Sequence, residues 1–219
     1  MRVGIFGGTF NPIHHGHLRS AEEVRIGQKL DRMLFIPSAN PPHKPGADVV
    51  DATHRLAMTR LAVRGNPDFA VSGIELQRPG RSYSVDTLTA LRRHHPRARF
   101  HFVMGLDTFR EIGTWHRYRE LFELCDFVVT SRPSFDLAMA HEHLPVAALE
   151  DFCYLPKANV LEHRSGHRIA FQAITDLSIS ATQIRSLLRH NQSIRYLVPA
   201  SVERYIARHR LYARRVPSS

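Results

Sequence analysis

A run of glycines and histidines near the start of the chain could bind a phosphate group. Residues 7–17 read Gly-Gly-Thr-Phe-Asn-Pro-Ile-His-His-Gly-His and directly follow the apolar run Val3–Phe6. Glycines let a main chain approach an anion closely, and the start of a helix presents unpaired N–H groups and the positive end of its dipole. His14 and His17 are close enough in sequence for both imidazoles to face one bound group. The pattern predicts chemistry on a nucleotide phosphate.

This run differs from two well-known phosphate-binding loops. Its glycine spacing is not that of the dinucleotide fingerprint Gly-x-Gly-x-x-Gly, and no Gly-Lys-Ser/Thr follows it as in a P-loop. A Gly-Gly pair alone is usually only a turn, and a single histidine is usually a surface or core residue. Their combination between a first strand and a helix favours the binding hypothesis.

A second candidate segment lies near the other end of the chain, at Ser178-Ile-Ser-Ala-Thr-Gln-Ile-Arg185. Ser180 and Thr182 are residue types that cap a helix start, and Arg185 falls one turn into the predicted helix. Hydroxyls, free N–H groups and a guanidinium together suit a polyphosphate. Alone, the segment is an ordinary capped helix; with the glycine turn it becomes the second half of one site.

Three further positions carry polar or aromatic side chains near predicted strand ends. Lys44 follows two prolines in a stiff loop and could reach a phosphate, although a solvated lysine is an equally good interpretation. Asp107 lies just past a predicted strand, where it could bind ribose hydroxyls. Trp115 is the only tryptophan and could stack on an aromatic ring or anchor a core. Ser84 alone indicates little more than a helix start.

The elements that must position these residues alternate between short apolar runs and longer periodic segments. That alternation predicts βαβ units, a parallel sheet and the α/β fold class, with ligands at the carboxyl ends of the strands. One domain over residues 1–219 is the simplest organisation, and residues 134–165 show no readable pattern. Strands are predicted at Val3–Phe6, Arg32–Ile36, Phe69–Ile74, Phe100–Met104, Phe127–Thr130 and Ile169–Ile174, and helices at His17–Lys29, Asp51–Val63, Ser84–Arg93, Ser180–Leu188 and Pro199–Arg208.

The composition sets bounds on partners and compartment. The net charge of +10, from 30 Lys and Arg against 20 Asp and Glu, favours anionic ligands. No basic block alternates with aromatic residues as in an RNA-binding sheet, so nucleic acid is not the expected partner. Cys125 and Cys153 form no Cys-x-x-Cys pair, which suits a reducing cytoplasm. No apolar run approaches the length of a membrane span, and no signal-peptide pattern opens the chain.

Together these residues resemble the HxGH nucleotidyltransferase superfamily and, within it, the bacterial nicotinate mononucleotide adenylyltransferases. The resemblance covers nearly the whole chain in the family's order. Two departures stand out: Ser84 where the family often has Thr, and Ser134 where it often has Gly. The matching segments are Gly7–Leu18, Pro37–Lys44, Ser82–Leu88, Gly105–Leu121 and Ser178–Arg185.

The resemblance implies a Rossmann-like doubly wound parallel sheet with a C-terminal helical part. It also implies adenylyl transfer from ATP to nicotinate mononucleotide, with Mg²⁺ bound mainly through substrate phosphates. His14, His17 and Arg185 would be catalytic. ATP would contact Gly7, Gly8, Thr9, Phe10, Gly105, Asp107, Ser180 and Thr182. The mononucleotide would contact Asn40, Lys44, Ser84 and Trp115, and a homo-oligomer is compatible with the family.

Two other functions remain open at this level. Another HxGH transferase could act on phosphopantetheine or on nicotinamide mononucleotide; Trp115 and the Pro-Pro-His-Lys loop favour a pyridine mononucleotide. A basic nucleotide-sensing or nucleic-acid-binding protein without turnover would explain the charge, but it would not explain His14, His17 and Arg185 together. Salt-dependent binding without pyrophosphate release would favour that second alternative.

Overall fold

A mixed β-sheet forms the centre of the computed structural model, which describes residues 1–41, 49–131, 143–155 and 160–213. Lys44 and the segment Arg132–Ser134 lie outside the described residues. The strands are β1 Arg2–Gly8, β2 Arg32–Pro37, β3 Phe69–Val71, β4 Arg99–Gly105, β5 Asp126–Ser131, β6 Phe152–Leu155, β7 Val160–His163 and β8 Arg168–Ala173. The helices are α1 His15–Gly27, α2 Ala52–Val63, α3 Ser84–His94, α4 Leu106–Arg110, α5 Tyr118–Leu124, α6 Ala181–Arg189 and α7 Ala200–Arg208.

The strand order is β3-β2-β1-β4-β5-β8-β7-β6. The strands from β3 to β8 in this order pair in parallel, whereas β6 and β7 add an antiparallel edge. The predicted α/β doubly wound sheet is therefore confirmed, and its order reverses between β1 and β4. A crevice at the carboxyl ends of these two strands is where such sheets bind ligands.

Several predicted boundaries were wrong by a few residues. Helix α1 begins at His15 rather than His17, because His14 is its extended N-cap residue. The third strand stops at Val71, and Ile74 instead opens a 3-10 turn. Ser180 caps α6 as predicted, accepting a hydrogen bond from the N–H of the residue three positions later.

Two hydrophobic clusters pack on opposite faces of the sheet. Phe102 and Val103 are adjacent in β4 but belong to different clusters, as the side-chain alternation of a strand requires. Helices α1, α2, α6 and α7 all contribute to one cluster, so the C-terminal helices brace the same face as the first helix. The apolar pattern of the first helix predicts that Ile26 faces the core. It is instead 60% exposed, because it lies on the solvent side of α1.

Helix α2 buries an unexpected set of side chains. The sequence predicts that Leu56, Leu61 and Val63 face the core, yet Leu56 and Leu61 are only partly buried. Arg55 is 1% exposed and Met58 is fully buried. None of the described helices is long and apolar enough to cross a bilayer.

Candidate active site

The predicted phosphate-binding turn lies at the carboxyl end of β1, which reaches Gly8. On the neighbouring strand, β4 ends at Gly105 and leads directly into α4. Both ends therefore flank the crevice where the strand order reverses. The turn, the start of α1 and the start of α4 bring their backbone groups to this one edge of the sheet.

Two cavities open at this edge and meet at His17 and Gly105, which line both. The first, of about 320 Å³, is lined among others by Gly7, Gly8, Thr9, Phe10, Ser84 and Trp115. The second, of about 670 Å³, is lined among others by His14, Gly16, Asp107, Arg110, Ser131 and Ile179. The site is thus a double cleft with a histidine at the junction.

His14 and His17 stack on each other at this junction. Their ring centroids are 3.6 Å apart and the ring planes differ by 28°. The main-chain N–H of His14 donates to Nδ1 of His17 over 3.2 Å. In the neutral ring, His17 then carries its hydrogen on Nε2. The first turn of α1 thereby supplies one hydrogen-bond donor of fixed tautomer to the cleft.

The His14 imidazole is buried but incompletely satisfied. It is 6% exposed, and no described residue forms a hydrogen bond with its Nδ1. Burial, reinforced by the neighbouring His15, lowers the pKa of His14 to about 4. The ring is therefore neutral at pH 7, and an anion bound nearby would favour its protonated form.

Gly16 permits the close packing of this turn against the C-terminal part of the chain. A Cβ at this position would lie 3.0 Å from Nδ1 of His14 and 3.6 Å from the carbonyl oxygen of Ile179. Any larger residue would therefore require the His14 ring to shift by a few tenths of an ångström. The same contact joins the histidine motif to the segment that precedes α6.

Helix α6 brings Arg185 to the histidine turn. Its Nη1 donates to the carbonyl oxygen of Asn11 over 2.9 Å, and its Nη2 lies 3.4 Å from Thr182 Oγ1. Its Nε is buried and has no hydrogen-bond partner within the described part of the chain. The structure thus joins Arg185 to Asn11 of the histidine turn, whereas the linings of the two cavities include His17 and His14 but not Arg185.

The remaining predicted binding residues divide between the two cavities and their surroundings. Ser84 and Trp115 share the first cavity with the turn Gly7–Phe10. Asp107, with a side chain 98% exposed, lies on the second. Three others stand outside the lining of the two cavities: Ser180 and Thr182, both exposed on α6, and Asn40, whose main chain pairs with Ser82.

Aromatic rings form one wall of the first cavity. Trp115 is half-buried and meets Phe102 edge to face, with ring centroids 6.0 Å apart. Tyr83 and His116 lie close to parallel, with centroids 4.3 Å apart. Sequence reasoning assigned no role to Tyr83 or to His116, although each directly neighbours a predicted residue. This wall suits a planar ring.

Sequence reasoning also missed Arg55, which fixes the loops around the first cavity. Its guanidinium donates to the carbonyl oxygens of Thr9 at 2.8 Å, Val50 at 2.9 Å and Ala39 at 3.2 Å. Burial lowers the pKa of Arg55. A guanidinium presents its donors in a rigid planar fork, so three separate segments are held in one geometry.

A buried carboxylate holds the same loop from the opposite side. Glu75 Oε2 accepts from the main-chain N–H of Ala39 over 3.4 Å, and its Oε1 accepts from the Thr87 hydroxyl over 2.7 Å. Glu75 and Thr87 both line the first cavity. Arg55 and Glu75 therefore bracket Ala39 between a cation and an anion.

The donor set suits a magnesium ion that is bound mostly by its ligand. Among the residues described, no three His, Cys, Asp or Glu side chains cluster as metal ligands. The second cavity nevertheless offers two carboxylates, Asp107 and Asp176. Magnesium usually keeps several waters and takes only one or two carboxylates beside phosphate oxygens, so these residues fit it.

Comparison with known proteins gives consistent matches. A family model described as cytidylyltransferase-like matches residues 5–187. A protein named probable nicotinate-nucleotide adenylyltransferase from Syntrophotalea carbinolica is 50% identical over 212 residues, covering 97% of each chain. One of the same name from Geobacter sulfurreducens is 50% identical over 213 residues, covering 97% of this chain and 99% of the relative.

A solved structure resembles the whole fold. It is the Plasmodium falciparum nicotinic acid mononucleotide adenylyltransferase complexed with NaAD, with a TM-score of 0.71, 17% identity, and coverage of 96% of this chain and 97% of that one. A second structure of that protein, complexed with APC, gives a TM-score of 0.68. At this identity the likeness establishes the shared fold.

Proposed function

Because the chain belongs to the cytidylyltransferase-like family, among the nicotinate-nucleotide adenylyltransferases, we propose that its double cleft joins ATP to nicotinate mononucleotide. The products are nicotinate adenine dinucleotide and pyrophosphate, in a step of NAD biosynthesis. One observation carries the assignment of the site: two cavities of different size meet at His17, which stacks on His14.

The lining of each cavity supports a division of the substrates between them. Nicotinate mononucleotide belongs in the first cavity, where Trp115 and Ser84 lie and the aromatic wall can hold the pyridine ring. ATP belongs in the larger second cavity, with Asp107 near the ribose. The turn Gly7–Phe10 borders the first cavity, so its backbone would contact phosphates at the junction rather than the adenosine.

The reaction needs positioning more than proton transfer. A phosphate oxygen of the mononucleotide attacks the α-phosphorus of ATP in line, and pyrophosphate leaves. Because the attacking phosphate is already ionised, no strong base is required. The protein must hold two anions together and stabilise the developing charge. Nε2–H of His17, the His14 ring and the Arg185 guanidinium would serve that purpose.

Mg²⁺ would be held mainly by substrate phosphates, with Asp107 and Asp176 as the nearby carboxylates. When bound, it would neutralise charge on the phosphate oxygens.

Both described cysteines, Cys125 and Cys153, are free thiols, which supports a reducing cytoplasm as the location.

Pyrophosphate release tests the proposal. The enzyme is given ATP and Mg²⁺ with nicotinate mononucleotide, nicotinamide mononucleotide or phosphopantetheine offered separately. We expect strong preference for nicotinate mononucleotide, as the names of the relatives indicate. Preference for either other acceptor would overturn the substrate, and release with none, together with salt-dependent nucleic-acid binding, would overturn the activity.

A further inference from the structure

The chain turns sharply after α7 and points a tyrosine back into the protein. Arg210 and Tyr212 both have left-handed backbones, with φ of 49° and 63°, a conformation that is unfavourable for residues other than glycine. The turn places the Tyr212 ring against the hydrophobic cluster that also contains Phe10 and Ile13. Packing and hydrogen bonding of Tyr212 must therefore compensate for this strain.

The Tyr212 hydroxyl begins a line of hydrogen bonds that ends at Arg185. The hydroxyl donates to Asn11 Oδ1 over 2.9 Å. Asn11 Oδ1 also accepts a hydrogen bond from the main-chain N–H of Val50 over 3.2 Å. The carbonyl oxygen of Asn11 accepts from Nη1 of Arg185 over 2.9 Å. Asn11, which is 5% exposed, thus joins the end of the chain to the guanidinium.

We propose that Tyr212 is a positioning residue for adenylyl transfer, acting through Asn11 on Arg185. The proposal rests on the proposed function, because it assigns Arg185 to the phosphates. Arg185 has few other restraints among the described residues: its contact with Thr182 is 3.4 Å long, and none of them bonds its buried Nε. Loss of the Tyr212 hydroxyl therefore loosens the carbonyl that orients the guanidinium.

The electrostatics support a donor role for this hydroxyl. Burial raises the pKa of Tyr212, although Arg185 and Arg55 act in the opposite direction. The phenol stays protonated at neutral pH and donates to Asn11.

A matched pair of single-atom variants tests the proposal. Tyr212→Phe removes the hydroxyl that bonds Asn11. Tyr205→Phe removes a hydroxyl of the same C-terminal region that lies 2.9 Å from Nδ1 of His54, away from the cleft. We expect Tyr212→Phe to lower kcat about 3- to 10-fold, the effect of one lost neutral hydrogen bond, with KM for ATP within about twofold. Tyr205→Phe should keep kcat.

Two further results decide whether the effect passes through Arg185. In the double variant Tyr212→Phe with Arg185→Lys, we expect no additional loss beyond Arg185→Lys alone, because the two residues act as a unit. Equal losses in Tyr212→Phe and Tyr205→Phe would overturn the proposal, as would fully additive losses in the double variant. Thermal unfolding of each variant fixes a common assay temperature at which all are folded.

A readout without catalysis separates this proposal from the proposed function. In the substrate-free full chain, the Nε–H NMR resonance of Arg185 should shift in Tyr212→Phe and stay unchanged in Tyr205→Phe. If the wild-type enzyme released no pyrophosphate, the proposed function would fail, yet this shift would still report the coupling. An unchanged Arg185 resonance in Tyr212→Phe would overturn the coupling itself.

Discussion

At the scale of single residues, the site depends on how a main-chain group fixes one histidine tautomer. The N–H of His14 donates to Nδ1 of His17, so Nε2 of His17 remains the donor. This donor would bind charge that develops only as the α-phosphorus reacts. Interactions of that kind raise kcat rather than tighten ground-state binding.

We therefore expect His17→Ala to lower kcat by about 10²- to 10³-fold, by analogy with the loss of one oxyanion donor, with a much smaller change in KM for ATP. Steady-state pyrophosphate release measures both constants. His190→Ala is the control, because His190 is exposed, its Nδ1 lies 2.8 Å from the carbonyl oxygen of Ser186, and it lines neither of the two cavities. Near-normal turnover of His17→Ala would refute the role.

The buried neutral His14 predicts a loss of stability in mild acid. Its pKa of about 4 in the folded chain lies below the ordinary value of 6.5, so the unfolded chain binds the proton more readily. Stability therefore falls as the pH decreases from about 6.5 toward 4. We expect the free energy of unfolding, measured in urea, to decrease between pH 7 and pH 5 by roughly 1–2 kcal/mol less in His14→Gln than in the wild type. Equal losses in both proteins would contradict this.

Sequence alone predicts His14, His17 and Arg185 as candidate site residues because their types and spacing carry the signal. Asn11, Arg55 and Tyr212 gave no such signal, because each acts through contacts with residues distant in the chain. The local sequence around these residues does not indicate contacts between residues so far apart in the chain.

At the scale of elements, the periodic helices and apolar strands were predictable, but their ends depended on local caps. Periodicity predicted that α1 begins at His17, but the helix begins directly after its N-cap residue, His14. The strands β6 and β7 lie within segment 134–165, where the sequence shows no readable pattern. They were not predicted because antiparallel edge strands carry a weaker apolar pattern than buried parallel strands. Apolar periodicity could not predict that Arg55 of α2 is buried, because arginine is a charged residue.

That arginine gives a prediction for the element it belongs to. Arg55→Met should destabilise the protein by roughly 2–5 kcal/mol, because three partly buried carbonyl oxygens lose their donor. Urea unfolding measures the change. Arg60→Met is the control, since Arg60 lies on the same helix but is exposed. Equal stability of the two variants would show that the guanidinium contacts contribute nothing net.

At the scale of the whole molecule, the reversal of strand order between β1 and β4 determines where the cleft lies. The sequence predicted this edge correctly from the position of the glycine turn after the first strand. It did not predict that the crevice divides into two cavities, because each cavity is lined by residues of several separate segments. Only the folded chain brings those segments together.

The division predicts separable effects on the two substrates. Trp115→Ala should raise KM for nicotinate mononucleotide about tenfold or more, because a stacking surface is lost, and leave KM for ATP within about twofold. Trp115→Phe retains a ring and should show a smaller change. Steady-state kinetics with each substrate varied in turn gives both constants. Parallel increases in both KM values would contradict separate cavities.

The most direct measurement is a crystal structure of the enzyme with nicotinate adenine dinucleotide bound. We expect the pyridine ring in the first cavity against Trp115, the adenosine in the second beside Asp107, and the bridging diphosphate at His17. A dinucleotide bound in the reverse orientation, or outside the two cavities, would contradict the account.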